Sequence, residues 1–352
     1  MRQLVQKMSL FVVGLAATTA MFAGNGDRAG QAGASQLLIN PWARSSGWAG
    51  ANQASIKGLE AINFNIAGTA FTKKTEIIFS RTQWLRGSGI NINAFGLTQR
   101  MGKKEGAGVL SLSVMSIDAG DIMITTVELP EGGIGTYKPR FTNIHLGYAK
   151  AFSNSIYGGI AVKLISEAIP DANAMGVAFD AGVQYVTGKR DQMHFGISLR
   201  NVGPKMRYGG DGLSFRGTVP NGNTQTVQQR SEAFEIPSLL NIGGSYQFLL
   251  GKKDHFLTTA LNFQANSFTK NQFQLGLEYA FKTYLMLRGG FNYENGIFKY
   301  DTRTTAFLGP CAGVTVEIPL AKEKSTTFGI DYSYRATDLF GGTHSFGARI
   351  SL

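Results

Sequence analysis

The segment from residue 271 to 296, NQFQLGLEYAFKTYLMLRGGFNYENG, alternates apolar and polar side chains almost without a break. Because successive side chains of a β-strand point to opposite faces, this period of two predicts two strands, each with one apolar and one polar face. An odd loop, Lys282 to Tyr284, keeps both apolar sets on the same side of the hairpin. The same register places Glu278 directly across from Arg288 on the polar side, where an ion pair is expected.

The alternation recurs along most of the chain. Segments of about ten residues with this period, separated by turns, are typical of transmembrane barrels, which in bacteria have an even number of strands. We therefore predict an all-β fold, a 14-stranded antiparallel transmembrane β-barrel that occupies residues 73–352. The strands are expected near residues 75–84, 89–99, 107–118, 141–151, 155–166, 175–187, 192–202, 238–250, 255–265, 271–281, 285–294, 309–318, 325–335 and 343–352.

The lengths of the connections support a barrel over a soluble sheet. Outer-membrane barrels have short periplasmic turns and longer external loops. The predicted short turns are 102–106, 153–155, 188–191, 251–254, 282–284 and 321–324, and the predicted long loops on the other side are 119–140, 167–174, 203–237 and 295–308. A secreted β-sandwich or jelly roll is the alternative. It would have to bury an apolar face on every strand, and it gives no reason for sorting the loops by length.

The N-terminus has the pattern of a secretory signal peptide. Arg2 and Lys7 precede an apolar run of about 15 residues, and small residues follow at Ala20 and Ala23. The run is short for a membrane-spanning helix, so a membrane anchor is the weaker alternative. We predict a signal peptide over residues 1–23 and localisation in the bacterial outer membrane.

A barrel of this size has a lumen wider than its own side chains can fill. Residues 24–72, which are rich in Ala, Gly, Ser and Asn, precede the first strand and are predicted to form a hatch in or under the barrel. The net charge of +11 is not accompanied by a basic helix or an RNA-binding motif, so no nucleic acid is expected. Because the protein carries a net positive charge, its expected partners are outer-membrane lipid and lipopolysaccharide. The single cysteine, Cys311, excludes an internal disulfide.

Motifs of enzymes are absent from the sequence. It contains no GxSxG, HExxH or CxxC motif and no P-loop, and its four histidines lack metal-ligand spacing. No catalytic residue, metal or cofactor is therefore predicted, and a lipid hydrolase is the remaining enzymatic alternative.

Residues 30–85 carry a resemblance to a known family. The segment GQAGASQLLINPWARSSGWAGANQASIKGLEAINFNIAGTAF and the later FSRTQWL are similar to the start of the PorV/PorQ family of outer-membrane proteins of type IX secretion. The matching positions are Leu37 to Ile39, Pro41, Ala43, Arg44, Ser45, Gly47, Gly50, Asn65, Ala67 and Gly68. Ile66 stands where the family usually has proline. The resemblance implies a fold related to the fourteen-stranded fatty-acid transporters and a hatch motif made of Pro41, Arg44, Asn65, Ala67 and Gly68.

The resemblance also implies a function. Such proteins are non-enzymatic components of type IX secretion, and they dock at the translocon barrel and bind or hand on the C-terminal signal domains of cargo. The alternative is an outer-membrane transporter of hydrophobic small molecules. The connection 203–237 is the candidate partner loop, because loops longer than about 12–15 residues are usually functional or disordered. Its Arg207, Tyr208, Phe215 and Arg216 are of residue types found at interface hot spots.

Overall fold

In the computed structural model, which describes residues 26–102, 107–251, 255–282, 284–320 and 326–352, fourteen long antiparallel strands form one barrel. In chain order, strands β1 to β14 are Thr75–Gln83, Asn91–Arg100, Val109–Asp118, Arg140–Ala151, Ile156–Ile169, Ala172–Thr187, Met193–Val202, Leu239–Leu249, His255–Asn266, Gln272–Phe281, Leu285–Glu294, Phe307–Pro319, Thr327–Thr337 and Thr343–Ser351. The predicted signal peptide, residues 1–23, lies outside the described residues.

The barrel is closed by its first and last strands. β1 pairs with β14 from Glu76 opposite Ser351 to Gln83 opposite His344, and every other strand pairs with its neighbours in the chain. Two short strands, 206–209 and 233–234, extend the sheet beside β6. Closure gives every long strand a partner on both sides, so the barrel has no edge strand, as a membrane requires. The predicted fold class is thereby confirmed.

The outer face of the wall is apolar. Large exposed side chains alternate with inward-facing polar residues or glycines along the strands. They include Phe79, Phe95, Leu110, Leu146, Ile160, Leu164, Phe179, Val183, Phe195, Ile197, Ile242, Leu275, Leu277, Leu287, Ile330, Phe346 and Ile350. A continuous apolar surface of this extent is the lipid-facing band of a transmembrane barrel.

The two ends of the barrel differ in their connections. We call the end with residues 101–108, 152–155, 188–192, 250–254, 282–284 and 320–326 the turn end, and the opposite end the loop end. The three longest connections, 119–139, 203–238 and 295–306, are all at the loop end. The prediction of a long loop at 167–174 is wrong. β5 continues to Ile169 and β6 begins at Ala172, so Pro170 and Asp171 form a tight turn between two of the longest strands.

The remaining elements are short. Helical turns span Gly26–Arg28, Ser35–Leu38, Ala43–Ser46, Ala51–Ala54, Leu59–Asn63, Ile66–Phe71, Asp211–Leu213 and Tyr300–Thr302, and of these only Ala43–Ser46 is α-helical. In the loops, 122–123 pairs with 136–137 and 214–218 pairs with 224–228. Within the described residues, no helix is long and apolar enough to cross a membrane.

Candidate functional site: the hatch and the two cavities of the lumen

The N-terminal segment 26–72, here called the hatch, runs through the lumen of the barrel. It begins at the loop end, where the Arg28 guanidinium lies 3.2 Å from the Glu235 carboxylate. It finishes at the turn end, where Arg100 at the end of β2 donates to the Thr72 carbonyl at 2.9 Å. Between these points its helical turns contact strands all around the wall. The hatch is therefore inside the barrel and follows it from one mouth to the other.

Glycines on the inner face let the backbone of the hatch lie directly against the wall. A Cβ atom at Gly290 of β11 would be 2.7 Å from the Trp48 carbonyl carbon, and one at Gly196 of β7 would be 2.8 Å from the Ala54 Cα. Real Cβ atoms do not approach that closely, so these positions exclude any other residue unless the hatch moves. The polar face of the strands is rich in glycine for this reason.

Three residues of the family resemblance meet in one turn of the hatch. Asn65 Oδ1 accepts a hydrogen bond from the Ala67 amide at 3.2 Å and caps the helical turn Ile66–Phe71, as asparagine commonly does. Its Nδ2 donates to the Val183 carbonyl of β6 at 3.0 Å, which ties the turn to the wall. The Gly68 amide donates to the Asn65 carbonyl at 2.9 Å. A Cβ at Gly68 would collide with the Ile56 carbonyl oxygen, at 2.2 Å.

Ile66 follows Asn65 at the first position of that helical turn. Proline is well tolerated there because the position needs no intrahelical N–H donor. The family's usual proline would therefore suit the observed geometry. In this chain the isoleucine side chain is buried and packs over Gly147 of β4, where proline would reach less far.

The other two resemblance residues lie in a separate part of the hatch. Pro41 is buried just before the helix Ala43–Ser46, and Arg44 is half-buried on that helix. The structure does not bring all five together, because the helix Ala43–Ser46 contacts β12, β13 and β14, whereas Asn65 bonds to β6. Burial acts to lower the pKa of Arg44, but the carboxylates of Glu278, Asp331 and two further glutamates outweigh it and raise that pKa.

Glu60 fixes the position of the helix Ala43–Ser46. Its carboxylate accepts a hydrogen bond from the Ser45 amide at 2.9 Å. Burial, with a further contribution from Asp331, raises the pKa of Glu60 to about 7, although Arg44 and Arg349 act in the opposite direction. Glu60 is therefore a hatch group whose charge changes near neutral pH.

The wall around this helix carries ion pairs. The structure places Glu278 opposite Arg288, with Arg288 Nε 2.5 Å from the Glu278 carboxylate. Arg288 Nη1 also donates to Thr315 Oγ1 at 2.6 Å, and Thr315 donates in turn to Asp331. A second ion pair on this side joins Arg349 to Glu317 at 2.7 Å. On the far wall, Lys163 pairs with Asp180 at 2.7 Å.

Two cavities lie on either side of the hatch. The inner cavity, near the turn end, measures about 300 Å³ and is lined by Arg44, Lys57, Phe71, Thr72, Lys73, Glu76, Glu317, Arg349 and neighbouring residues. The outer cavity, towards the loop end, measures about 440 Å³. Its lining includes Leu38, Ile39, Ser46, Phe64, Trp84, Arg200, Gln264, Gln272, Gln274, Asn292, Glu294, Thr305, Phe307 and Arg335. The hatch lies between them, since Arg44 and Gly58 line the inner cavity and Ser46 and Asn63 line the outer one.

The wall beside the outer cavity is incomplete. The pairing of β11 with β12 stops at Phe291 opposite Pro310, before either strand ends. Beyond that point the Glu294 carboxylate accepts hydrogen bonds from the Thr304 amide at 3.0 Å and from its hydroxyl at 2.9 Å. Side-chain bonds therefore replace the strand ladder at this place.

The four residues of the candidate partner loop lie in two places. Tyr208 belongs to the short strand 206–209, pairs with Ala174 of β6 and donates its hydroxyl proton to Glu167, so it is part of the wall. Arg207, on the same strand, is exposed. Phe215 and Arg216 are exposed on the separate hairpin formed by 214–218 and 224–228.

Sequence reasoning missed the arginines of the outer cavity. Arg200 and Arg335 both fall on the polar side of alternating strands, so the pattern places them in the lumen. It does not reveal which lumenal charges are paired, because pairing depends on strands far apart in the chain. Within the described residues, no group of histidine, cysteine or acidic side chains could hold a metal ion.

No family model matches the chain, and no curated protein matches its sequence. Solved structures do match its fold. The toluene transporter TodX of Pseudomonas putida aligns with 89% of this chain and 97% of its own at a TM-score of 0.56 and 12% identity. The toluene transporter TbuX of Ralstonia pickettii aligns over 94% and 98% at a TM-score of 0.52 and 10% identity. At such identities the likeness concerns the fold.

Proposed function

We propose that the protein is an outer-membrane transporter that passes small apolar molecules through its hatch-filled barrel. The shared fold with two toluene transporters over most of both chains supports this proposal. The observation that carries it is the pair of cavities on either side of the hatch. The outer face of the barrel is apolar and suited to contact lipid, which supports localisation in the outer membrane.

A molecule that enters the outer cavity from the loop end first meets apolar side chains. Leu38, Ile39 and Phe307 line the outer cavity together with Trp84. Ile39 and Trp84 also pack against a buried cluster formed by Ile92, Met115 and Ile117 of β2 and β3. An apolar solute in the outer cavity thus meets apolar side chains of both the hatch and the wall. Passage to the inner cavity requires part of the hatch between the two cavities to shift.

The test is uptake of radiolabelled toluene by cells that express the protein, compared with cells that carry an empty vector. Wild type should raise the initial rate several-fold. Replacing Leu38 and Thr305 together by tryptophan should remove most of that gain, because both residues line the outer cavity at partly exposed positions. Thr224→Trp, on the exposed hairpin, is the matched control and should behave as wild type. A folded wild-type barrel without any gain in uptake would refute the proposal.

A second candidate function, cargo handling in type IX secretion, has its own support. The residues similar to the PorV/PorQ family, Asn65, Ala67 and Gly68 among them, form the turn that ties the hatch to β6. In addition, the hairpin 214–218/224–228 projects Phe215 and Arg216 outside the wall. Its proposed partners are the type IX translocon barrel and the C-terminal signal domains of cargo, with lipopolysaccharide beside the exposed arginines of the loop end.

Replacing residues 214–228 with a short Gly/Ser linker tests this second candidate. The change spares the strand 206–209, so Tyr208 keeps its place in the wall and the barrel should assemble. Co-purification of a translocon barrel or of cargo domains from solubilised outer membrane should then fall by at least tenfold. A linker variant that retains these partners would exclude the hairpin, and a wild-type protein that captures none would exclude the secretion function.

A further inference from the structure

Charges are organised differently at the two ends of the barrel. At the loop end, several cations form ion pairs with acids, among them Arg28 and Lys205 with Glu235. Arg303 likewise pairs with Asp338. At the turn end, a set of lysines and arginines at the strand ends forms no ion pair with any other described residue. We call this set the basic rim, and it consists of Lys73, Lys74, Lys150, Lys189, Arg190 and Lys282.

Few negative charges offset the basic rim. Among the described residues of the turn end, Asp191 is the exposed acidic side chain, and Leu352, the last residue of the sequence, adds a carboxylate. Glu76 and Glu317 are also at this end, but they point inward and both lie near Arg349, at 3.9 Å and 2.7 Å. The rim therefore keeps a clear excess of positive charge at the surface.

Lys150 lies on the lipid-facing side of the wall. It has the same parity on β4 as Leu146 and Tyr148, which are both exposed on the outer face. Its Nζ is 5.0 Å from the centre of the Phe152 ring, a side chain that is 66% exposed. That ring covers Gly158 of β5, where a Cβ would be 2.8 Å from Phe152 Cε2. The ammonium group is thus at the outer edge of the wall and not over the mouth of the lumen.

The turn between β6 and β7 carries two cations above outward-facing rings. Lys189 and Arg190 are exposed in this turn. Tyr185 on β6 and Phe195 on β7 stack on each other, with ring centres 6.5 Å apart, and both are exposed on the outer face. This hairpin adjoins the β4–β5 hairpin that carries Lys150. The three cations therefore follow one arc of the wall.

Lys282 repeats the arrangement on another part of the wall. Its Nζ lies 5.6 Å from the ring of Phe281, which is exposed on the outer face at the end of β10. Aromatic side chains at the ends of a transmembrane barrel form girdles at the membrane–water interface. A long basic side chain there keeps its stem along apolar surface and its charge in the polar layer. These cations are accordingly at the level of the lipid headgroups.

We propose that the basic rim binds the headgroups of anionic phospholipids in the leaflet that surrounds the turn end. Clusters of lysine and arginine close to a membrane surface attract anionic lipids. Because the short turns of outer-membrane barrels are periplasmic, this is the phospholipid leaflet of the outer membrane. The inference concerns the outer wall, so it is independent of what passes through the lumen and of what binds at the loop end.

A soluble polyanion such as peptidoglycan is the other occupant of suitable charge. It would approach along the barrel axis and would need cations that are free over the mouth. Two cations of the turn end that lie nearer to the lumen are already engaged there. Arg100 donates to the Ala70 and Thr72 carbonyls, and Lys57 lies over the Phe71 ring at 4.9 Å. The rim cations lie beside lipid-facing rings instead, which favours a lipid.

The experiment measures lipid preference by electron spin resonance on the purified protein in phosphatidylcholine vesicles. Traces of spin-labelled phosphatidylglycerol or phosphatidylcholine with identical chains report the fraction of label immobilised at the protein surface. Phosphatidylglycerol should associate about threefold more strongly at low salt, and high salt should remove most of this preference by screening. Equal association of the two lipids, or a preference that salt leaves unchanged, would overturn the proposal. Retention on purified peptidoglycan sacculi without any lipid preference would favour the polymer.

Variants then locate the site. A fourfold variant that removes four rim charges should lose most of the preference for phosphatidylglycerol: Lys150→Gln, Lys189→Gln, Arg190→Gln and Lys282→Gln. The matched control removes four exposed charges at the loop end and should keep the preference: Arg86→Gln, Arg140→Gln, Arg230→Gln and Lys299→Gln. Heat-modifiable mobility verifies that both are folded. A folded rim variant with wild-type preference, or a control that loses it, would exclude the rim. The wild-type comparison stands without either variant, and toluene uptake is a separate measurement.

Discussion

Leu277 and Gln272 lie on the same strand, β10, but on opposite faces of the wall. Leu277 is directed to lipid and is 46% exposed, whereas Gln272 lines the outer cavity next to Glu294. We predict that Leu277→Arg lowers the free energy of unfolding by about 2–4 kcal/mol, the usual cost of a cation on the lipid face. Gln272→Arg, which gains a carboxylate neighbour, should cost less. Urea titration followed by heat-modifiable gel mobility measures both, and equal losses would contradict the assignment of faces.

An inward-facing position on this strand does not by itself leave room for an arginine side chain. Gly276 also faces inward, but a Cβ there would be 2.6 Å from the Trp48 ring. Its neighbour Gln274 packs against Gly50 and accepts a hydrogen bond from Asn262 at 2.8 Å. The hatch occupies the space that the alternation pattern assigns to water. A two-residue period distinguishes inside from outside, but it carries no information on what fills the inside.

Glu60 makes the stability of the hatch depend on pH, and the direction of its pKa shift determines the sign of that dependence. Its folded pKa is raised from about 4.5 to about 7, so the folded state prefers the protonated carboxyl. The contribution to hatch stability is complete below pH 4.5 and is lost as pH rises through 7. Amide hydrogen exchange of residues 43–48 should therefore be faster at pH 8 than at pH 5 after correction for intrinsic rates. Glu60→Gln should remove most of this difference, and an equal pH response in that variant would contradict the assignment.

The hatch, as an element, is held by close backbone contact with the wall. Gly290 and Gly289 are adjacent on β11 and make a matched pair for testing this contact. A Cβ at Gly290 would be 2.7 Å from the Trp48 backbone, whereas one at Gly289 would be 4.0 Å from its nearest neighbour. We predict that Gly290→Ala destabilises hatch docking by about 1–3 kcal/mol, as overpacking does, and that Gly289→Ala is close to neutral. Protease sensitivity of the hatch and the fluorescence of buried Trp42 and Trp48 report the difference. Identical behaviour of the two variants would show that the hatch is free to adjust.

The strands were predictable from the sequence, and the hatch interior was not. All fourteen strands lie where alternation places them, and the register of β10 with β11 follows from the odd loop 282–284. Strand period and loop parity are local properties, so a single segment is enough to read them. The tight turn at Pro170 and Asp171, by contrast, depends on how far β5 and β6 extend beyond the segments in which apolar and polar residues alternate. The unpaired state of Arg200 and Arg335 depends on the whole lumen.

For the whole molecule, the structure predicts a barrel that conducts little until the hatch is removed. The hatch lies between two cavities of about 300 and 440 Å³, and their union would open the lumen. Replacing residues 43–66 with a Gly/Ser linker of equal length should leave the strand ladder closed and raise single-channel conductance in planar bilayers by at least tenfold. Heat-modifiable mobility verifies the fold. A folded linker variant with wild-type conductance would mean that the wall, and not the hatch, closes the lumen.

Because the hatch runs through the lumen, the barrel encloses a segment of its own chain. We call the barrel wall the ring and the enclosed residues 26–72 the thread. One end of the thread is fixed at the loop end by Arg28 and Glu235, and the other continues covalently into β1 at the turn end. Since the seam between β1 and β14 joins the two ends of the barrel sequence, the ring is completed last along the chain. The thread must therefore already be in place when the ring closes, or be drawn through it afterwards. Once closed, the ring cannot release the thread sideways through the wall, so any clearing of the lumen has to move the thread along the barrel axis while it stays attached to β1.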